Sequence, residues 1–279
     1  MLKFGISLFF TEYSMKPADL GVELEQRGFE SVWSGEHSHM PAVLKTPFPG
    51  GGEPKKHYYD VMDPFVTLTA AAIATKTLKI GTGVCLIPQR DPIQTAKLVA
   101  SIDQISQGRF LFGVGNGWSQ EEIENHGTVF ATRHKRARES IEAMKQIWSQ
   151  EKAEYHGDLV KFDPMMTWPK PVQKPCPPVL VGGGFPYSAR RAIAYGDGWL
   201  PSGNIVETVP KFRGMVEKAG RDPMPITAWY PPRDLDLIPR YRDLGLDRVV
   251  FTVPSAQVDV VLPALDEIGA IMARVNASG

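Results

Sequence analysis

A closed (β/α)₈ barrel is the fold class this sequence predicts, with insertions after the second strand and between the fourth and fifth. Three observations carry it. Eight short, nearly continuous apolar runs read as parallel strands covered on both faces. Helix-like stretches alternate with them, which is the pattern of a parallel sheet. The length of 279 residues suits eight such units, since closed barrels of this type take about 250 residues and open doubly wound sheets more often have fewer strands.

The units follow in order. The first strand spans Lys3–Leu8, and Pro17 opens the helix behind it, with Leu20 and Leu24 on one face. Residues 31–35 form the second strand, and 36–62 a long insertion containing PFPGGGEP. The third strand is read over 78–84, followed by a helix opened by Asp91-Pro92 with Ile93, Ala96 and Ile102 apolar. Residues 109–114 make the fourth strand. A second insertion, 151–178, carries a short hairpin around His156-Gly157-Asp158 and then the Pro-rich PKPVQKPCPP. Strands at 179–182, 198–200, 225–229 and 248–253 complete the ring. A repeated corner binds the units: QRGFESVWSG, SQGRFLFGVG, AYGDGWLPSG and DLGLDRVVFT each run from a helix end through Gly into a strand. Gly28, Gly108, Gly196 and Gly245 stand where a helix end takes a left-handed residue. The whole of 1–279 is read as one domain.

Bulk properties narrow the function. Lys+Arg and Asp+Glu balance at 31 each, so no global field gathers nucleic acid or an anionic membrane. The start, MLKFGISLFF, meets charge too soon for a spanning helix and lacks the flanks of a secretory signal. Cys85 and Cys176 are the only cysteines, too few and too far apart for a disulfide framework or a zinc cluster. A cytoplasmic protein is expected.

Barrels of this kind carry their chemistry at the C-terminal ends of the strands. Reading off those ends gives Phe9, Phe10 and Thr11, then Glu36 and His37 in SGEHSHMP, then Gly83, Val84, Cys85 and Arg90. Asn116, Gly117 and Trp118 follow the fourth strand, Gly182-Gly183-Gly184 the fifth, Ser202 and Gly203 the sixth, and Tyr230 the seventh. The set is rich in glycine and aromatics and poor in charge, which suits a planar ring and a phosphate. His37 and His39 invite a zinc-hydrolase reading, but zinc wants three or four converging ligands, and no other His ends a strand. No metal is expected. GVGNGW and VGGGFPYSARRA both depart from G-x-G-x-x-G. The second still exposes backbone N–H groups before a helix and is the expected phosphate seat.

IGTGVCLIPQRDPIQTAKLVASIDQISQGRFLFGVGNGW, YHGDLVKF, PKPVQKPCPPVLVGGG and AYGDGWLPSG together resemble the luciferase-like monooxygenase superfamily, and within it the oxidoreductases that depend on the deazaflavin coenzyme F-420. The resemblance covers Phe4 to about Gly203 and implies a homodimer with a flavin or deazaflavin in the barrel mouth. It places a non-proline cis peptide in a bulge at Gly83–Val84, after Thr82, against the back of the ring. It puts the cofactor's phosphate on Gly183, Gly184 and Ser202. Glu36 and Asn116 are expected at the cofactor, and His37 at the substrate as the acid–base group. Where sugar-phosphate dehydrogenases of the superfamily carry a catalytic Glu, this chain has Trp118. With Phe9, Phe10, Tyr58 and Trp229 also expected in the lining, an apolar organic substrate is predicted. The expected activity is two-electron transfer between F-420 and that substrate. Three alternatives stand beside it: a monooxygenase using reduced FMN supplied by a separate reductase, a metal-dependent hydrolase, and a cofactor-binding barrel without turnover.

Overall fold

Eight of the apolar runs close into a parallel barrel in the computed structural model, which describes residues 1–277. In chain order the elements are β1 (Lys3–Leu8), α1 (Pro17–Gln26), β2 (Ser31–Ser34), α2 (His57–Asp60), α3 (Pro64–Ala74), β3 (Lys79–Thr82), β4 (Cys85–Leu86) and α4 (Pro92–Ile105). Then come β5 (Phe110–Gly115), α5 (Gln120–Asn125), α6 (Arg133–Ser149), β6 (Ala153–His156), β7 (Lys161–Met165), β8 (Val179–Gly184) and α7 (Tyr187–Tyr195). The chain finishes with β9 (Gly198–Ser202), α8 (Ile205–Lys218), β10 (Thr227–Trp229), α9 (Leu237–Asp243), β11 (Arg248–Thr252) and α10 (Val258–Ala277). The strands pair in the order β10-β11-β1-β2-β3-β5-β8-β9, and a parallel bridge from Trp199 to Ile226, just before β10, draws the two ends together.

Two layers hold the barrel. Between strands and helices lies a continuous apolar cluster that includes Phe4, Ile6, Leu20, Ile80, Phe112 and Trp148. Inside the ring a smaller cluster of Trp33, Leu111, Leu180, Leu200, Trp229 and Val250, with Val84 against it, fills the interior. Close fit there demands small residues opposite: a Cβ on Gly115 would stand 2.4 Å from Val84 Cγ2. Phe10 belongs to the outer core and is fully buried, so it does not line the mouth as the sequence suggests.

The third strand departs from a plain run as the resemblance implies. It breaks after Thr82, the Gly83–Val84 peptide is cis, and the chain resumes pairing as β4. The register runs Ile80↔Phe110 and Gly81↔Leu111, then Cys85↔Val114 and Leu86↔Gly115, so the β3 side carries one residue more and bulges. One corner glycine also differs. Gly28, Gly108 and Gly245 take φ of 76°, 79° and 70°, but Gly196 has φ −89°. Its constraint is space, because a Cβ would come within 2.8 Å of Val181 Cγ2. The hairpin forms as β6 and β7, paired antiparallel. No helix among the described residues is long and apolar enough to cross a membrane.

The N-terminal end of the barrel is tied by charge. Arg248 Nε and Nη2 each donate to Glu30 at 2.6 Å. Burial works against the Glu30 carboxylate, but the hydrogen bonds and charge of Arg248 outweigh it and hold it down to about 2. A depressed carboxyl stabilises the fold above its ordinary value and loses that contribution as pH falls through the folded one. Glu30 therefore contributes fully above pH 4.5, and the contribution fades toward pH 2. Glu30→Gln, which leaves Arg248 largely buried without a charge partner, should lower stability by about 3 kcal/mol in urea unfolding at pH 7, with a smaller loss at pH 3.

Candidate active site

Strand ends deliver two chemically different regions to the mouth. One is aromatic. Phe9, at the end of β1, meets the Tyr58 ring at 4.9 Å, and Tyr58 meets His37 at 5.3 Å. Phe48, from the long insertion, packs edge-on to both Tyr58 and Trp118 at 5.2 and 5.3 Å. Beside these rings opens a cavity of about 830 Å³ whose wall includes Phe9, Tyr13, Phe48, Tyr58 and Tyr230, a size suited to an organic ligand. Trp118 stands behind Phe48, against His37 at 6.0 Å. Trp229 lies below the mouth: it is buried, packs on Trp33, and covers Gly83 so closely that a Cβ there would sit 2.0 Å from its ring. The residue after it, Tyr230, lines the cavity instead.

His37 is held by a residue that the strand-end rule passes over. Its Nδ1 lies 2.9 Å from Glu122 Oε2, and Glu122 Oε1 accepts the Ser38 N–H at 3.0 Å. Burial opposes the Glu122 charge, but the His37 hydrogen bond and charge hold its carboxyl below the ordinary range. An ionised carboxylate only accepts, so Nδ1 is the donor in this pair and Nε2 is the nitrogen left over for a ligand. The sequence signal was Ser119-x-x-Glu122 before Ile123. That reads as a capping box, and Ser119 Oγ does accept the Glu122 N–H at 3.2 Å. The carboxylate turns away to His37. The cavity that His37 itself borders is a separate one of about 370 Å³, shared with Glu36, Arg90 and His126.

His39 faces elsewhere, held by Ser38 Oγ and Asn125 Nδ2, each at 2.9 Å. Among the described residues no group of three or more His, Cys, Asp or Glu side chains is placed to hold a metal. Glu36 turns inward, accepting the Leu86 N–H at 2.7 Å and Arg90 Nε at 2.6 Å. It thereby fixes the segment after the Gly83–Val84 bulge. Thr82 is fully buried, its hydroxyl donating to the Gly113 carbonyl at 2.7 Å.

The neighbouring carboxylate, Glu121, pins the long insertion. It accepts the Lys45 and Thr46 N–H groups at 3.0 Å each and the Thr46 hydroxyl at 2.9 Å. Glu121→Ala should speed limited trypsin cleavage after Lys45 several-fold. An unchanged rate would mean that other contacts hold the segment.

The second region is cationic. Gly183 and Gly184 end β8, and Gly184 pairs in register with Ser202 of β9. Gly183 takes φ 122°, open to glycine, and Arg191 Nη2 lies 3.5 Å from where its Cβ would be. The helices that start here, α6 and α7, have no side-chain cap; basic residues fill the first turn of α6 (Arg133, His134, Lys135 and Arg136), and Arg190 and Arg191 follow three residues into α7. Cations at a helix N-terminus oppose its dipole. Arg133 and Arg191 each bury an Nε without a hydrogen-bond partner, and neither has a carboxylate partner among the described residues. Burial lowers the pKa of both, and Arg191 depresses Arg133 further. Burial and both arginines push His134 down to about 4. Asn116 joins the group through its amide, 2.7 Å from His134 Nδ1. Half-buried like charges with orphan donors suit an anion.

With that geometry in view, comparisons with known proteins are specific. The model of a family described as luciferase-like monooxygenase matches residues 15–232. An uncharacterized protein of Mycobacterium tuberculosis is 35% identical over 284 residues, covering 98% of this chain and 99% of its own. The F-420-dependent hydroxymycolic acid dehydrogenase of Mycobacterium tuberculosis is 30% identical over 71% of this chain and 53% of its own. An FMNH(2)-dependent dimethylsulfone monooxygenase of Pseudomonas putida is 33% identical over 52% of this chain and 40% of its own. Among solved structures, an F-420-dependent secondary alcohol dehydrogenase in complex with an F-420-acetone adduct superposes with a TM-score of 0.77 at 20% identity, over 98% of this chain and 99% of that one. At that identity the likeness speaks for the fold.

Proposed function

The chain belongs to the luciferase-like monooxygenase family, an oxidoreductase family with F-420- and FMN-dependent members, and we propose that it transfers two electrons between coenzyme F-420 and a small, largely apolar organic substrate. The observation that carries the reading is the pair of buried, partnerless Nε groups on Arg191, beside Gly183, and on Arg133, whose charge it meets. They fit the phosphate of such a cofactor, with the Gly183 and Gly184 backbone and the Ser202 hydroxyl completing the seat. A flavin or deazaflavin supplies the two-electron chemistry there.

The chain's own residues supply the rest. Gly83 and Val84 form the floor against which the ring would lie, and Glu36 with Arg90 keeps that floor in place through the Leu86 N–H. Asn116 orients His134 at the phosphate end. Phe9, Tyr58 and Trp118 exclude water. His37, its Nδ1 proton directed at Glu122, offers Nε2 to accept or return a proton on the substrate. We also place a homodimer face on α3, where Val66 and Ile73 stand 70% and 72% exposed.

The test is a fluorescence titration of apoprotein with F-420 and with FMN. Tighter binding of F-420 supports the proposal. Tighter FMN, with oxygen consumed when it is supplied reduced, assigns a monooxygenase instead. Binding of neither overturns the cofactor reading.

A further inference from the structure

We infer that the large cavity beside Phe9 and Tyr58 takes an organic acid, with an apolar ring body among Phe9, Tyr58 and Tyr230 and its carboxylate at Lys55. The inference deepens the functional reading above and rests on it for the reaction, but not for the binding. Three observations carry it.

The first is charge. Lys55, Lys56 and Arg233 all border the cavity, and none of its lining residues is Asp or Glu. Two of these cations are answered within the fold: Lys56 pairs with Asp60 and lies over the Tyr13 ring, and Arg233 pairs with Glu267. Lys55 has no carboxylate partner among the described residues. The second is His57, which also lines the cavity. Burial, then the charge of Lys55, holds it below its ordinary value, against a weaker pull from Asp60. The Lys55 ammonium therefore acts on the cavity wall, and His57 adds no second charge at neutral pH.

The third is backbone. Tyr230 holds φ 54°, a left-handed conformation uncommon for a residue with a large side chain. Its N–H is still bonded to the Val250 carbonyl at 3.1 Å. Its ring stacks on buried Trp229 at 4.7 Å and faces the cavity. Unusual backbone of this kind marks functional positions when the surroundings enforce it. The wall is thus fixed for a flat ring, and the one unanswered cation stands at its rim.

The probes are 2-naphthoate and its neutral counterpart 2-naphthamide, titrated against apoprotein by quenching of tryptophan fluorescence at low salt. Native protein should bind the acid roughly 5- to 10-fold tighter than the amide, as a rim charge allows. Lys55→Gln should remove the preference and Lys55→Glu reverse it, with the amide's affinity unchanged in both. Arg191→Ala should retain the preference, which separates this site from the phosphate seat. Equal affinity of native protein for the two probes overturns the inference, as does a preference that survives Lys55→Glu. Cofactor titrations on the same preparations report on the redox reading independently: loss of that reading leaves the acid preference standing, and the reverse holds.

Discussion

Arg191→Ala should weaken binding of F-420 or FMN roughly 30-fold, about 2 kcal/mol, with little change in folding stability. The substitution acts with opposite sign on the free and the bound protein. Removing one guanidinium relieves its repulsion with Arg133 and ends the burial of an unpartnered Nε, so the unliganded fold is not harmed and can gain. The bound state loses a charge-assisted contact at Gly183. A stability gain alongside an affinity loss is a signature that a merely structural arginine would not give. Arg191→Lys should recover part of the affinity, since a point charge replaces the fork without its bidentate geometry. Undiminished affinity in the alanine variant would remove Arg191 from the seat.

The second large effect concerns the proton. His37→Ala should lower turnover about 10²- to 10⁴-fold, the usual contribution of a positioned acid–base group, while cofactor affinity stays within about twofold. Glu122→Gln should lower turnover by roughly tenfold or more, again without touching cofactor affinity. A glutamine amide can donate to Nδ1 as readily as accept from it, so it no longer fixes the proton on that nitrogen. Glu122→Asp should recover part of the rate. If both glutamine and alanine at 122 turn over normally, the Glu122–His37 pair is packing and the proton comes from elsewhere.

The barrel was legible because its signals are local. Each strand is a contiguous apolar run, and β1 begins and ends where the pattern says. The break in β3 was not readable from periodicity, since Gly83 and Val84 continue the apolar run; only the resemblance placed a bulge there. Gly196 shows the same limit from the other side. A glycine needed for close approach to Val181 looks, in sequence, like one needed for a turn.

At the site, residues projecting from strand ends were legible, and residues reaching in from helices were not. Glu122 was hidden by a motif that already had a sufficient local explanation, and its partner lies 85 positions away. Trp229 was assigned to the mouth because it ends a strand, but the alternation of side chains sends it into the interior cluster and brings Tyr230 to the surface of the cavity. Arg133 and Arg191 left a trace that could have been followed. The basic first turn of α6 runs against the helix dipole, and a local rule broken without local compensation points to function.

The measurement that bears most directly on the central claim compares each cofactor with the same ring system lacking its phosphate: FMN against riboflavin, and F-420 against its deazariboflavin core. If the arginines beside Gly183 seat an anionic cofactor, the phosphorylated member of at least one pair binds 30-fold or more tighter than its stripped partner, and Arg191→Ala narrows that gap. Equal affinities within both pairs, or a gap that the substitution leaves untouched, would contradict the account.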